Sequence, residues 1–259
     1  MRVLYIGDIM GIGGIKAVEE VLPNLIEKHS LDFVLAQAEN VTNGRGISKE
    51  DFKRLQDCGV DFFTGGNHSY DDTSIKEYLE GDRPIIAPAN MDIPGKGFKV
   101  VEVQGKRILV VSILGDAMIS GKMFTPDGEH HPLATIDRIL EEDHDISIVN
   151  FHGELSSQKK AFGYYLDGRA TIVVGDHWHI PTNDAQILPK GTAHMTDVGM
   201  TGTLHYSLGA DYQQLIRLWK KGRANFAPID QRPYTFNSVM VEIEGAKASN
   251  IMPLNFVLE

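Results

Sequence analysis

Cysteine is nearly absent: Cys58 is the only one in 259 residues. One thiol excludes an intrachain disulfide and a thiolate metal cluster. Cys58 sits in an amphipathic stretch, Ser48 to Gly59, which predicts a buried structural thiol. Long apolar runs are missing too, none approaching the ~20 residues that span a bilayer. The start, Met1-Arg-Val-Leu-Tyr-Ile-Gly-Asp8, lacks the basic region and small-residue cleavage site of a signal peptide, and Asp8 interrupts its apolar run. It reads as a first strand. Positive charge is short: 25 Lys and Arg stand against 35 Asp and Glu, a net charge of −10. A long nucleic acid needs many basic contacts and is not an expected partner. Small anionic substrates stay open, because bound cations would supply the local positive charge. The composition is consistent with a cytoplasmic protein without a membrane partner, and leaves a homo-oligomer open. Internal repeats, low-complexity tracts and long linkers are also lacking, which favours one mixed α/β domain.

What the chain does have is a recurring junction between a short apolar run and polar residues. Val3–Gly7 leads to Asp8, Phe33–Gln37 to Glu39-Asn40, and Val60–Thr64 to Asn67-His68. Ile146–Phe151 leads to His152, and Thr171–Gly175 to His177-Trp178-His179. Each run reads as a β-strand. An amphipathic helix is expected from about Ile15 to Glu27, with Pro23 kinking it or ending it late. The loop Asn43-Gly-Arg-Gly46 precedes a helix capped by Ser48, and Gly65-Gly66 precedes a helix from about Thr73 to Leu79. This rhythm argues for parallel pairing. Phe98–Val103 and Arg107–Leu114 flank Gln104-Gly-Lys106 and predict a hairpin. Helices near Leu133–Glu142 and over Gln158–Leu166 lead into the strands that end at His152 and His177. Asn237–Ile243 and Ile251–Leu258 read as two further strands. Gly115–Pro132 reads as a long loop of the kind that often covers a site.

In an open α/β sheet the strand C-termini gather at one edge, and sites form there. Singly, each polar residue has a bland reading. Asp8 suits a helix N-cap, Glu39 and Asn40 suit a solvated surface, Gly65-Gly66-Asn67 suits a turn, and a lone histidine suits a satisfied core position. Together Asp8, Glu39, Asn40, Asn67, His152, His177 and His179 are all metal-ligand types delivered to one place. His177 and His179 would face the same side of an extended segment, with Trp178 turned away into packing. Imidazole, carboxylate and amide donors without thiolate disfavour a structural zinc site, and the imidazoles disfavour pure magnesium or calcium. Iron, manganese, zinc or nickel remain. His68 is placed to carry a proton. His194 and Asp197 could orient ligands from behind. Tyr164, Tyr165, Asp167 and Arg169 read as structural.

In this order the residues resemble the calcineurin-like metallophosphoesterases, and more closely the YmdB-like bacterial phosphodiesterase family. The motifs are Ile6-Gly-Asp8, Ala38-Glu-Asn40, Gly66-Asn-His68, Phe151-His152, Gly163-Tyr-Tyr-Leu-Asp-Gly-Arg169, Gly175-Asp-His-Trp-His179 and Thr196-Asp-Val-Gly-Met-Thr-Gly202. The resemblance covers nearly the whole length. It implies an α/β fold, a four-layer α/β/β/α sandwich forming a single metallophosphoesterase domain over residues 1–259. It implies two divalent or trivalent metal ions per chain, iron first with manganese or zinc as alternatives. By the same resemblance Asp8, Glu39, Asn40 and His179 hold one ion, and Glu39, Asn67, His152 and His177 the other. Glu39 bridges them and His68 is the proton donor. The chain departs from the pattern at Glu39, where the superfamily usually bridges with Asp, and at Met10, where it has a ligand His that Asn40 would replace. Ile15 stands where the closer family often has arginine, and Trp178 where it has a small polar residue.

Such a centre would lower the pKa of a bridging water and supply hydroxide near neutral pH, with His68 protonating the departing oxygen. The expected substrate is a small phosphodiester, a 2′,3′- or 3′,5′-cyclic nucleotide. Two other functions fit the same residues: a phosphomonoesterase or nucleotidase on the same centre, and a regulatory metal-binding protein with weak turnover.

Overall fold

Strand alternation sorts the apolar residues onto two faces. The structure, a computed structural model that describes residues 1–121, 128, 130–223 and 229–259, packs a different layer against each. The first half runs β1 (Arg2–Ile6), β2 (Asp8–Ile9), α1 (Gly11–His29), β3 (Phe33–Gln37), α2 (Lys49–Asp57) and β4 (Phe62–Thr64), then a 3-10 turn Thr73–Ile75 into α3 (Lys76–Glu80). The hairpin β5 (Phe98–Val103) and β6 (Lys106–Leu114) follows, then α4 (Asp116–Ser120), α5 (Pro132–Ile139), β7 (Ile146–His152), α6 (Ser156–Tyr165) and β8 (Ile172–Asp176). The rest is β9 (Gln186–Ile187), β10 (Ala193–Met195), β11 (Met200–Thr203), α7 (Tyr212–Lys221), β12 (Tyr234–Glu244) and β13 (Lys247–Leu258).

Two sheets result. In the seven-stranded one β1, β3 and β4 pair in parallel, β12 lies antiparallel between β13 and the β1 and β11 strands, and β2 joins β11. The six-stranded one has the order β5-β6-β7-β8-β10-β9, parallel at its centre and antiparallel at both edges. Val3, Tyr5 and Leu35 of the first sheet share a core with Val110, Ile148 and Val174 of the second. One residue out of phase, Leu4, Ile6 and Val34 pack with Ile15, Val18 and Leu22 of α1. Likewise Val111, Val149 and Val173 pack with Ile136 of α5 and Phe162 of α6. Sheets apolar on both faces need cover on both, and the outcome is the four-layer α/β/β/α sandwich.

Several local readings change. α1 begins at Gly11, earlier than Ile15, and runs past Glu27 to His29 with Pro23 inside it. Its glycines serve close packing: a Cβ on Gly14 would lie 2.5 Å from the Thr201 carbonyl oxygen. Pro23 is exposed, so water is at hand for the carbonyl it leaves unpaired. Ser48 caps α2 as expected, its Oγ accepting the Asp51 N–H at 3.1 Å. Cys58 is half-buried instead of buried, because it sits at the C-terminal rim of α2, where its Sγ donates to Arg54 O. The expected loop Gly115–Pro132 opens with α4, and its residues 122–127 and 129 lie outside the described ones. No helix among the described residues is long and apolar enough to cross a membrane. The polar strand ends come from two sheets, β1, β3 and β4 of one and β7 and β8 of the other, as the four-layer sandwich implies.

Candidate active site

Glu39, just beyond β3, stands at the middle of the gathered side chains. Its Oε1 lies 3.2 Å from Asn40 Nδ2 and 3.1 Å from His152 Nε2. Its Oε2 accepts the His68 backbone N–H at 2.7 Å. On one side Asn40 Nδ2 is 3.4 Å from Asp8 Oδ1 and 3.5 Å from His179 Nε2, which is 4.0 Å from Asp8 Oδ2. On the other side Asn67 Oδ1 is 2.9 Å from His152 Nε2, and the His177 ring stands edge-on to His152 with centroids 4.7 Å apart. Ligand-type atoms of Glu39, His152 and His177 all fall within 4.8 Å of one another, a group that could hold a metal ion. Gly66 permits the crowding. A Cβ there would sit 2.4 Å from Glu39 Oε2 and 2.6 Å from His152 Cε1, so only glycine lets the chain after β4 pass.

His177 and His179 reach this place by a route the sequence reading missed. The segment is a bend, not an extended strand, and both residues have left-handed φ, 101° and 62°. Carboxylates turn it: Asp8 Oδ2 accepts the His177 N–H at 3.1 Å, and Asp197 Oδ2 accepts the Trp178 N–H at 3.0 Å. Trp178 does not simply turn away into packing: its Nε1 donates to Glu154 O and its ring lies 4.1 Å from Lys159 Nζ, but it lines the cleft beside His177 and His179.

The electrostatics separate the two sides. Burial first, then the Asp176 carboxylate, pushes Asp8 well above the usual carboxyl range. Burial would also raise Glu39, but His152 and the N–H groups around it outweigh burial and hold it at about 2. Burial opposes charge on His152, yet Glu39 and Asp176 together lift it well above an ordinary imidazole. Burial takes His179 down to about 4. It also lowers His177, with the His152 charge as the second cause. Two neutral imidazoles at pH 7 offer lone pairs, the form that binds metal. Among the described residues no lysine or arginine bonds Asp8 or Glu39, whose partners are amides and imidazoles. Buried carboxylates of this kind are paired or hold cations, and the mixed oxygen and imidazole donors suit iron, manganese or zinc.

Six supporting residues escaped the sequence reading: Asp176, Tyr5, Gln37, Asn150, Glu154 and Lys159. Asp176, the last residue of β8, has Oδ1 2.5 Å from His152 Nδ1. Its Oδ2 accepts Tyr5 Oη and Gln37 Nε2, each at 2.9 Å, and Asn150 Nδ2. Tyr5 and Gln37 belong to one sheet and Asp176 and Asn150 to the other, so this knot bridges the sheets where their apolar core ends. Glu154 Oε2 lies 3.0 Å from His177 Nε2. Buried Lys159 donates to Asp176 O and Asp197 Oδ2, both at 2.6 Å. Asp176 and Gln37 end apolar runs, the same signal that singled out the other residues. Nothing in the helical pattern of α6 marks Lys159. Asp197 does orient the loop, as expected. His194 does not: its Nδ1 donates to Val173 O and its ring packs on Gly163, between β8 and α6. His68 lines the cleft, with Nδ1 2.9 Å from Asp71 Oδ2.

The site opens into a cleft of about 700 Å³ floored by Glu39, Asn40, His177 and His179. A 2′,3′-cyclic-nucleotide 2′-phosphodiesterase of Bacillus subtilis (strain 168) is 34% identical over 249 residues, 94% of this chain and 92% of that protein. The crystal structure of a hypothetical protein from Thermus thermophilus matches with a TM-score of 0.91 at 36% identity, covering 100% of both chains. That of a novel phosphatase from Mycoplasma pneumoniae also matches at 0.91, with 29% identity over 99% of this chain and 93% of that one. Residues 4–254 match the family model of the YmdB-like protein, and the chain belongs to that family.

Proposed function

We propose that the chain is a metal-dependent phosphodiesterase acting on small phosphodiesters, the 2′,3′- or 3′,5′-cyclic nucleotides. That it is a phosphoric ester hydrolase follows from relatives named phosphodiesterase and phosphatase; the cyclic diester is the finer reading. The observation that carries it is the pair of buried carboxylates, Asp8 and Glu39, surrounded by amides and imidazoles with no lysine or arginine bonded to them among the described residues.

In this reading Asp8, Glu39, Asn40 and His179 hold one ion, and Glu39, Asn67, His152 and His177 the other. Iron is the first candidate, with manganese or zinc as alternatives. When bound, the ions bring the pKa of water toward neutrality and screen the phosphate charge. The chain's own residues supply the rest. The His68 N–H fixes one oxygen of Glu39, and Asp176 fixes the His152 ring from behind, so the centre is preorganised. Asp71 holds the His68 ring at Nδ1, which leaves Nε2 to give a proton to the departing oxygen. A monoesterase on the same centre is the second reading, supported by the Mycoplasma relative named a phosphatase. An activity screen of metal-replete protein on 2′,3′- and 3′,5′-cyclic nucleotides beside simple phosphomonoesters separates them. Preference for a cyclic diester is the expected outcome. Turnover of monoesters alone overturns the diester reading.

A further inference from the structure

The cleft is lined by two kinds of residue. Asn43, Arg45, His68 and Glu154 are polar. Leu208, Ala210, Leu215 and Leu218 are aliphatic, and Met10, Trp178 and Ile180 add further apolar surface. Leu215 and Leu218 are three apart and therefore neighbours on one face of α7. That helix is built to stand there: Asp211 caps it by accepting the Gln213 N–H at 2.9 Å, and Gly222 ends it with φ 66°. Yet among the described residues it buries no residue completely, and neither leucine joins any of the three cores. These leucines face the cleft without serving the packing of the sheets.

Leu208 is the more informative residue. Ser207 and Ala210 exchange two backbone hydrogen bonds of 2.9 Å, closing a two-residue turn with Leu208 and Gly209 at its tip. Leu208 has φ 51°. Turn positions of this kind ordinarily take Asn, Asp or Gly, because a left-handed φ is costly for a bulky side chain. Leu208 is also 47% exposed, so burial does not offset that cost. A large apolar side chain held in a disfavoured conformation at the edge of a polar centre points to a ligand that covers it.

The floor of the cleft takes the charged phosphate group, which fills little of about 700 Å³; small-molecule sites run from about 300 to 1,000 Å³. The remaining space lies between hydroxyl-compatible polar groups and an aliphatic surface suited to a flat ring. We propose that the surface formed by Leu208, Leu215 and Leu218 is the nucleobase subsite of this centre. The proposal rests on the phosphodiesterase reading. Aliphatic side chains contact a ring face without reading its edge, so the subsite accepts purines and pyrimidines alike, with purines favoured by area.

The test compares adenosine 2′,3′-cyclic phosphate with glycerol 1,2-cyclic phosphate, which shares the five-membered phosphate ring and lacks the nucleoside. Two variants of the metal-replete protein are used: Leu208→Asn, which suits the left-handed turn, and the double variant Leu215→Ala/Leu218→Ala. Each should raise KM for the adenosine compound roughly tenfold or more and leave the glycerol compound unchanged, while Leu208→Asn does not lower Tm. Equal losses on both compounds, or none on either, overturn the proposal. Absence of turnover of both compounds by the unaltered protein refutes the phosphodiesterase reading instead. Calorimetric titration with adenosine 2′,3′-cyclic phosphate then decides the subsite: binding weakened by Leu208→Asn supports it, and equal binding overturns it.

Discussion

His152 and His179 enter the same centre from opposite sides, and the protein supports them differently. His152 is the last residue of a strand, fully buried, with Glu39 at one ring nitrogen and Asp176 at the other. Asp176 is itself gripped from both sheets. His179 sits on a bend with φ 62°; among the described residues its Nε2 comes no closer than 3.5 Å to a partner and its Nδ1 has no hydrogen bond. The first side is set by the sandwich itself, where backing carboxylates hold the ring and raise its basicity. The second depends on a loop. The difference teaches that one half of the centre is preorganised by the inter-sheet core and the other by a small number of backbone hydrogen bonds.

The harshest test removes what the halves share. Elemental analysis should find two metals per chain in the unaltered protein. Glu39→Ala should lose both ions with activity falling to background, whereas Asn40→Ala, a neutral amide serving one side, should keep the ion beside His152. Equal occupancy in the two variants contradicts the bridging role. His68→Ala comes next: both metals retained, kcat lower by roughly 10²–10⁴, and a smaller loss on an activated aryl diester whose leaving group needs no proton. Full activity on an unactivated diester removes His68 from the chemistry, and loss of one metal makes it a ligand.

Asp176→Asn probes the supported half directly. Metal affinity should fall about 10–100-fold, the usual effect of removing a carboxylate behind a ligating imidazole. Glu154→Gln should fall less, because Glu154 is 57% exposed on its side chain. Chelator competition reads both, and unchanged affinity in Asp176→Asn would leave that knot a purely structural role. The smallest effect concerns the loop beyond His179. Asp184 accepts from Thr182, from Lys160 and twice from Thr196, and these bonds outweigh burial to hold its carboxyl well below the usual range. A carboxyl lowered by folding stabilises the protein above its unfolded pKa of about 3.9 and loses that contribution as pH falls toward the folded value. Asp184→Asn should therefore lower Tm at pH 7, with the gap to the unaltered protein narrowing below about pH 4. A gap independent of pH assigns the effect to lost packing.

Much of this molecule was legible from local pattern. The runs ending at Asp8, Glu39, Asn67, His152 and His177 are strands or strand ends, and the Gln104-Gly105 turn closes the expected hairpin. What failed did so for reasons at longer range. The glycines that open α1 fell outside the expected helix because their partner, β11, is nearly two hundred positions away, Gly14 meeting Thr201. His194 looked like a helper of the centre because it follows the His177 strand closely, but the chain turns its ring back onto α6. The bend at His177 and His179 could not be read, since the groups that impose it are the carboxylates of Asp8 and Asp197.

The sequence by itself determined the elements and the chemistry available at their ends, because periods of two and 3.6 residues and the polar residue that stops an apolar run are properties of neighbours in the chain. The tertiary structure alone decided which strand ends each of the two sheets supplies, and that Asp176 stands behind His152 with Tyr5 donating to it across 171 positions. It also decided that the leucines of α7 look into the cleft instead of a core. Each of these depends on which distant surfaces meet when the sheets close on their shared apolar core, and no local pattern carries that information.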